Sequence, residues 1–206
     1  MQVTKQQKGK RKNNMSSMKR VVVMFMGVLA LMVMAAGTNV AYADEIKCTG
    51  TIGTRTVDDV FVPSGKTCTL NGTRVEGNVK VASRATLYVK GAAQIAGNIQ
   101  ADSGAKLVSV TAGSFVDGDI QVKKSGAVTV LSSRVNGNIQ LEENKQALKV
   151  NKNTVGGDIQ IFKNTGGATI NYNNVDGNLQ CKENSPAPKG TGNIVDGNKE
   201  DQCRRF

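Results

Sequence analysis

The sequence predicts an all-β protein, a parallel β-helix of about 20 residues per coil and roughly eight coils, behind an export signal. Three observations carry this. First, one six-residue phrase recurs seven times: Val75-Glu-Gly-Asn-Val-Lys, Ile95-Ala-Gly-Asn-Ile-Gln, Val116-Asp-Gly-Asp-Ile-Gln, Val135-Asn-Gly-Asn-Ile-Gln, Val155-Gly-Gly-Asp-Ile-Gln, Val175-Asp-Gly-Asn-Leu-Gln and Val195-Asp-Gly-Asn-Lys-Glu. Its glycines, Gly77, Gly97, Gly118, Gly137, Gly157, Gly177 and Gly197, are separated by 20, 21, 19, 20, 20 and 20 residues, which marks a solenoid. Second, apolar residues alternate inside each repeat, as in Val116, Gly118, Ile120 and Val122, the period of a strand. Third, no repeat holds a helical apolar stripe or the Leu and Asn spacing of a leucine-rich repeat.

Taken in order, residues 1–43 form an export signal. They hold seven of the chain's 27 Lys and Arg and none of its 16 Asp and Glu, so the remainder carries 20 bases against 16 acids, a net charge of +4. Val21–Ala36 is an apolar run of 16 residues, followed by Ala41-Tyr-Ala43. A basic segment, an apolar segment and A-x-A make a cleavable secretory signal; the run is too short for a usual membrane anchor. Translation start sites at Met1, Met15 and Met18 all remain open. The mature chain is expected to begin at Asp44, secreted or periplasmic, without a membrane anchor. The basic run Lys8-Gly-Lys-Arg-Lys12 belongs to the removed segment, and the remaining charge, with few aromatics, gives no footprint for nucleic acid.

Residues 44–59 are expected as a starting cap, 60–198 as the coils and 199–206 as a closing cap. Val60-Phe-Val62 matches Val79-Lys-Val81, and Cys68-Thr-Leu70 matches Leu87-Tyr-Val89, an earlier degenerate coil. The inward columns are Val75, Ile95, Val116, Val135, Val155, Val175, Val195; then Val79, Ile99, Ile120, Ile139, Ile159, Leu179; then Val81, Ala101, Val122, Leu141, Ile161, Cys181. The glycine column lets the coil narrow or lets neighbouring backbone approach. At the end Lys199 replaces the inward Ile, charged residues follow, and Ser185-Pro-Ala-Pro188 interrupts the preceding coil, devices that block further strand pairing.

Export to an oxidising compartment predicts that the four cysteines pair. Four cysteines allow three connectivities, and the repeat selects one. Cys48 and Cys68 are 20 residues apart, and Cys181 and Cys203 are 22 apart with the same inward parity. Each pair therefore joins adjacent coils, ~4.8 Å apart. The other connectivities would span at least five coils, roughly 25 Å, beyond the reach of a disulfide.

This repeat, with the ending Gly177-Asn-Leu-Gln-Cys-Lys-Glu-Asn-Ser-Pro-Ala-Pro188 and Gly197-Asn-Lys-Glu-Asp-Gln-Cys203, resembles that of a group of small exported bacterial β-helix proteins. The resemblance covers essentially all of 44–206. It implies a right-handed parallel β-helix in an exported protein, and carries over no catalytic residue or ligand. At the level of fold alone the chain also resembles pectate lyases and bactofilins, and fold does not set function.

The residues between the inward columns form three outward ones: Glu76, Ala96, Asp117, Asn136, Gly156, Asp176, Asp196; then Asn78, Asn98, Asp119, Asn138, Asp158, Asn178, Asn198; then Lys80 and Gln100, Gln121, Gln140, Gln160, Gln180. Stacked amides that bond along the axis account for this ribbon structurally. The same spacing also suits the hydroxyls of an extended glycan. Asp117, Asp119, Asn138, Gln140, Asp158 and Gln160 are accordingly the candidate ligand face, with a polysaccharide or cell-surface glycan as partner.

Catalysis or metal binding by His is excluded, since the chain has none. The cysteines lack the short spacing of a Cys-only zinc site. Calcium near Asp117 and Asp119 would need a loop pattern that these acids do not follow, so no metal or cofactor is assigned. The alternative function is a polysaccharide lyase or hydrolase built on carboxylates. Against it, Asp119 and Asp158 alternate with Asn in one column, and no long loop builds a cleft. Thr86 and Thr129 are too scattered for an ice-binding array, and the charged end argues against a bactofilin-like polymer. The expectation is a non-enzymatic, monomeric, exported β-helix displaying a polar face at the cell envelope or a surface contact.

Overall fold

The computed structural model describes residues 45–102 and 104–206. The expected export signal, with its basic run and its expected cleavage point after Ala43, lies outside the described residues. Within those residues the chain is all strand and turn. Each coil gives one strand to each of three sheets, and every pairing is parallel. The first sheet has nine strands, from Ile46–Lys47 to Lys199–Asp201. The second has eight, from Thr51–Ile52 to Lys189–Thr191, and the third eight, from Thr56–Val57 to Ile194–Val195. The result is a β-solenoid of about eight turns.

Register follows the sequence repeat. Ile120 pairs with Ile139, Ile139 with Ile159 and Ile159 with Leu179, so like residues stack on like. One residue's slip would turn the whole apolar set outward, which is why alternation holds the register. All three inward columns are buried through the coil of Val175–Cys181. A fourth and a fifth come from the second sheet: Leu87, Val108, Val128 and Leu148, and Val89, Val110, Val130, Val150 and Ile170. Stacking is what closes this core, because a single coil exposes its apolar edges above and below.

The segment expected as a starting cap has coil architecture of its own. Ile46–Lys47 pairs with Val60–Phe61, Thr51–Ile52 with Thr69–Leu70, and Thr56–Val57 with Arg74–Val75. Both cysteine pairs form as the spacing requires. Cys48–Cys68 and Cys181–Cys203 have Cα separations of 5.4 and 5.2 Å, and no cysteine is free. At the far end Lys199 sits below Leu179, where an Ile would point inward. Its ammonium donates to the Asn193 carbonyl at 2.8 Å and to the Phe206 carbonyl. The Phe206 ring lies over Gly190, where a Cβ would come within 2.3 Å of it. The tail thus folds back so that its ring lies on the last strand of the second sheet.

Candidate functional site

The Gly-Asn dyad of the repeat builds the corner between the third and first sheets. The Oδ1 of Asn78 accepts from the Asn98 N–H at 3.0 Å, Asn98 from Asp119 at 2.8 Å, and Asp119 from Asn138 at 2.7 Å. Asn138 then accepts from Asp158 at 2.8 Å, Asp158 from Asn178 at 2.6 Å and Asn178 from Asn198 at 2.9 Å. Asp59 begins the line by accepting from the Asn78 N–H. Each side chain therefore reaches forward to the backbone of the next coil, supplying an acceptor where the sheets leave an N–H without one.

This contact explains the preceding glycine. A Cβ at Gly137 would lie 2.3 Å from Asp119 Oδ1, and at Gly177 2.3 Å from Asp158 Oδ1. These glycines do not have positive φ, so clearance and not torsion demands them. The acids in the line, Asp59, Asp119 and Asp158, are never neighbours. An amide always intervenes, which spaces like charges and supplies donors: the Asn138 and Asn178 Nδ2 groups reach back to Asp119 and Asp158 at 3.1 and 3.2 Å.

Of the candidate ligand residues, Asp119, Asn138 and Asp158 thus share one half-buried line whose inner oxygens are occupied. Gln140 and Gln160 lie in the next column, on the outer surface of the first sheet. Gln121 Nε2 donates to Gln140 at 2.9 Å, Gln160 to Gln180 at 2.9 Å and Gln180 to Glu200 at 2.9 Å. Asp117 stands apart from both, exposed beside the third sheet, where it accepts from Asn136 Nδ2 at 2.6 Å. Next to it Ala96, small among larger neighbours, opens a hollow of about 150 Å³ lined also by Arg74, Gln94 and Phe115. Arg74 pairs with Glu76 at 3.6 Å and donates to Gln94 at 3.2 Å. The site therefore combines a ribbon of axially tied amides with one shallow recess bearing a cation, an amide, an acid and an aromatic ring. Among the described residues no group of three or more His, Cys, Asp or Glu could hold a metal ion.

Two further polar lines were not anticipated, and they run inside the solenoid. At the corner of the first and second sheets, Ser125, Asn144, Asn164 and Asn184 are buried in one column. Asn164 Oδ1 accepts from both the N–H and the Nδ2 of Asn144, at 2.9 and 3.1 Å, while its own Nδ2 donates to the Leu141 carbonyl at 2.9 Å. Gln202 ends the line by accepting from the Asn184 N–H at 2.9 Å and from its Nδ2 at 3.0 Å. Ser133, Asn153, Asn173 and Asn193 do the same at the corner of the second and third sheets. Among the described residues no buried side-chain polar atom lacks a partner. The available signal was recurrence alone: Asn144, Asn164, Asn184 and Asn153, Asn173, Asn193 repeat at 20 residues.

No protein-family profile, no curated protein and no solved structure matches this chain.

Proposed function

We propose that the protein is an exported, non-enzymatic β-solenoid that presents a rigid polar surface at the cell envelope or to another surface, with extended glycans as its contact. The observation that carries this reading is the outer ribbon of Gln121, Gln140, Gln160 and Gln180, whose side chains stack at one-coil spacing and are tied in pairs along the axis. Amides fixed in this way lose little freedom on meeting a ligand, and each keeps polar atoms free for hydroxyl groups. The two disulfides accord with an oxidising extracellular or periplasmic compartment.

The test is a glycan array probed with the purified protein, paired with a product-release assay on every glycan that binds. The expected result is binding without turnover, weakened in Gln140→Ala/Gln160→Ala. Release of saccharide products that disappears in Asp119→Asn would replace this reading with a polysaccharide lyase or hydrolase.

A further inference from the structure

A second surface lies on the corner between the first and second sheets, just past the strands that carry the amide ribbon. A groove of about 480 Å³ opens there, and Arg84, Lys106, Lys124 and Lys145 line it. The four cations come from four successive coils, one from each, and all are exposed. None is in an ion pair within 4 Å among the described residues; the neighbouring Lys123 takes Glu142 instead, at 3.6 Å.

The backbone favours this display. The Gly126 N–H donates to the Ala105 carbonyl and the Lys145 N–H to the Ser125 carbonyl, which places Gly126 between Lys106 and Lys145 in the stack. No side chain therefore fills the floor between those two lysines. Arg84 and Lys124 have φ of 59° and 50°, the left-handed conformation that glycine adopts most easily, and Gly104 takes it at the equivalent turn between them. Charged side chains stand at positions where the turn itself would favour glycine.

We propose that this groove binds a linear anionic glycan polymer, one bearing sulfate, phosphate or carboxylate groups, laid along the solenoid axis. Two columns each carry a cation on every second coil, roughly 10 Å apart, and are offset by one coil, so a chain of regularly spaced anions meets one partner per ~4.8 Å step along the axis. The lining has no aromatic ring to stack a base, which disfavours single-stranded nucleic acid, and no large apolar side chain to enter a membrane. The proposal requires only that this corner be exposed, so it stands apart from the amide ribbon.

The experiment measures binding of the purified protein to dextran sulfate, dextran phosphate and polygalacturonate, with neutral dextran as control, over a salt series. The expected result is binding to at least one of the three that weakens as salt rises, and none to neutral dextran. The charge borne by the strongest binder identifies the anion. Lys106→Glu/Lys145→Glu should lower that affinity about tenfold or more, as loss of several charge contacts implies. Lys90→Glu/Lys152→Glu changes net charge equally outside the groove and should shift it less than about threefold. Thermal melts establish that both variants are folded. Failure of all three polymers to bind overturns the proposal, as does equal loss in the two variants. Tighter binding to single-stranded DNA or anionic vesicles than to all three polymers overturns it as well. The amide ribbon is tested with uncharged glycans and Gln140→Ala/Gln160→Ala, so failure in the groove leaves that reading standing.

Discussion

At Gly137 a methyl group would sit 2.3 Å from Asp119 Oδ1 and 2.7 Å from the Gly118 carbonyl, and both contacts belong to the rigid stack. Gly137→Ala must push the coils apart or break the Asp119 bond. It should destabilise the protein by about 1–3 kcal/mol in denaturant unfolding. Gly50 has nothing within 4 Å of an added Cβ, so Gly50→Ala should stay within about 0.5 kcal/mol of the parent. A similar loss at both positions would mean that helix- and strand-independent backbone entropy, and not the Asp119 contact, governs the glycine column. At this scale the sequence showed that glycine and Asn recur together but not why. Its two explanations for the glycine, a narrower coil or a close approach, are separated only by the position of the preceding coil's Oδ1. The Asn column was legible as a column, and its role as an acceptor for backbone N–H groups was not, since alternation places it simply outward.

The strands themselves were legible because burial obeys parity. Ile139 is fully buried between Ile120 and Ile159, whereas Gln140 faces out and holds one bond from Gln121. Ile139→Asp should therefore cost roughly 3–5 kcal/mol by burying a carboxylate without partners. Gln140→Ala should cost about 0.5–1 kcal/mol. Equal shifts in thermal stability would show the inward and outward columns to be misassigned. The corners were less legible than the strands. Asn144, Asn153, Asn164 and Asn173 are buried, yet in sequence they resemble the polar residues of solvated turns. Only the tight turn between sheets, which leaves backbone groups inside, draws an amide inward to satisfy them. The coil nearer the N-terminus fills the same corner positions with Ala85 and Ala93, both buried. The two corner lines therefore vary in composition along the axis, with Thr73 buried and polar one coil before Ala93, a variation that a search for one fixed repeat does not register.

Over the whole molecule, charge is segregated by face. Asp58, Asp59, Glu76, Asp117, Asp119, Asp158, Asp176 and Asp196, half of the 16 acids, lie between strands of the third and first sheets. The groove cations occupy the next corner. A modest net charge therefore conceals an acidic corner and, at the next corner, a cluster of four cations among a few acids, and a net-charge argument made from composition could not see the cationic groove. All of these assignments, ladder, ribbon and groove alike, depend on one claim: residues about 20 apart lie directly above one another. The cysteines test it without any substitution. Peptide mapping of the purified protein under non-reducing conditions should recover Cys48 joined to Cys68 and Cys181 joined to Cys203, the pairs of adjacent coils. A peptide joining Cys48 to Cys203, or Cys68 to Cys181, would contradict the stacking, because those residues are separated by at least five coils, roughly 25 Å.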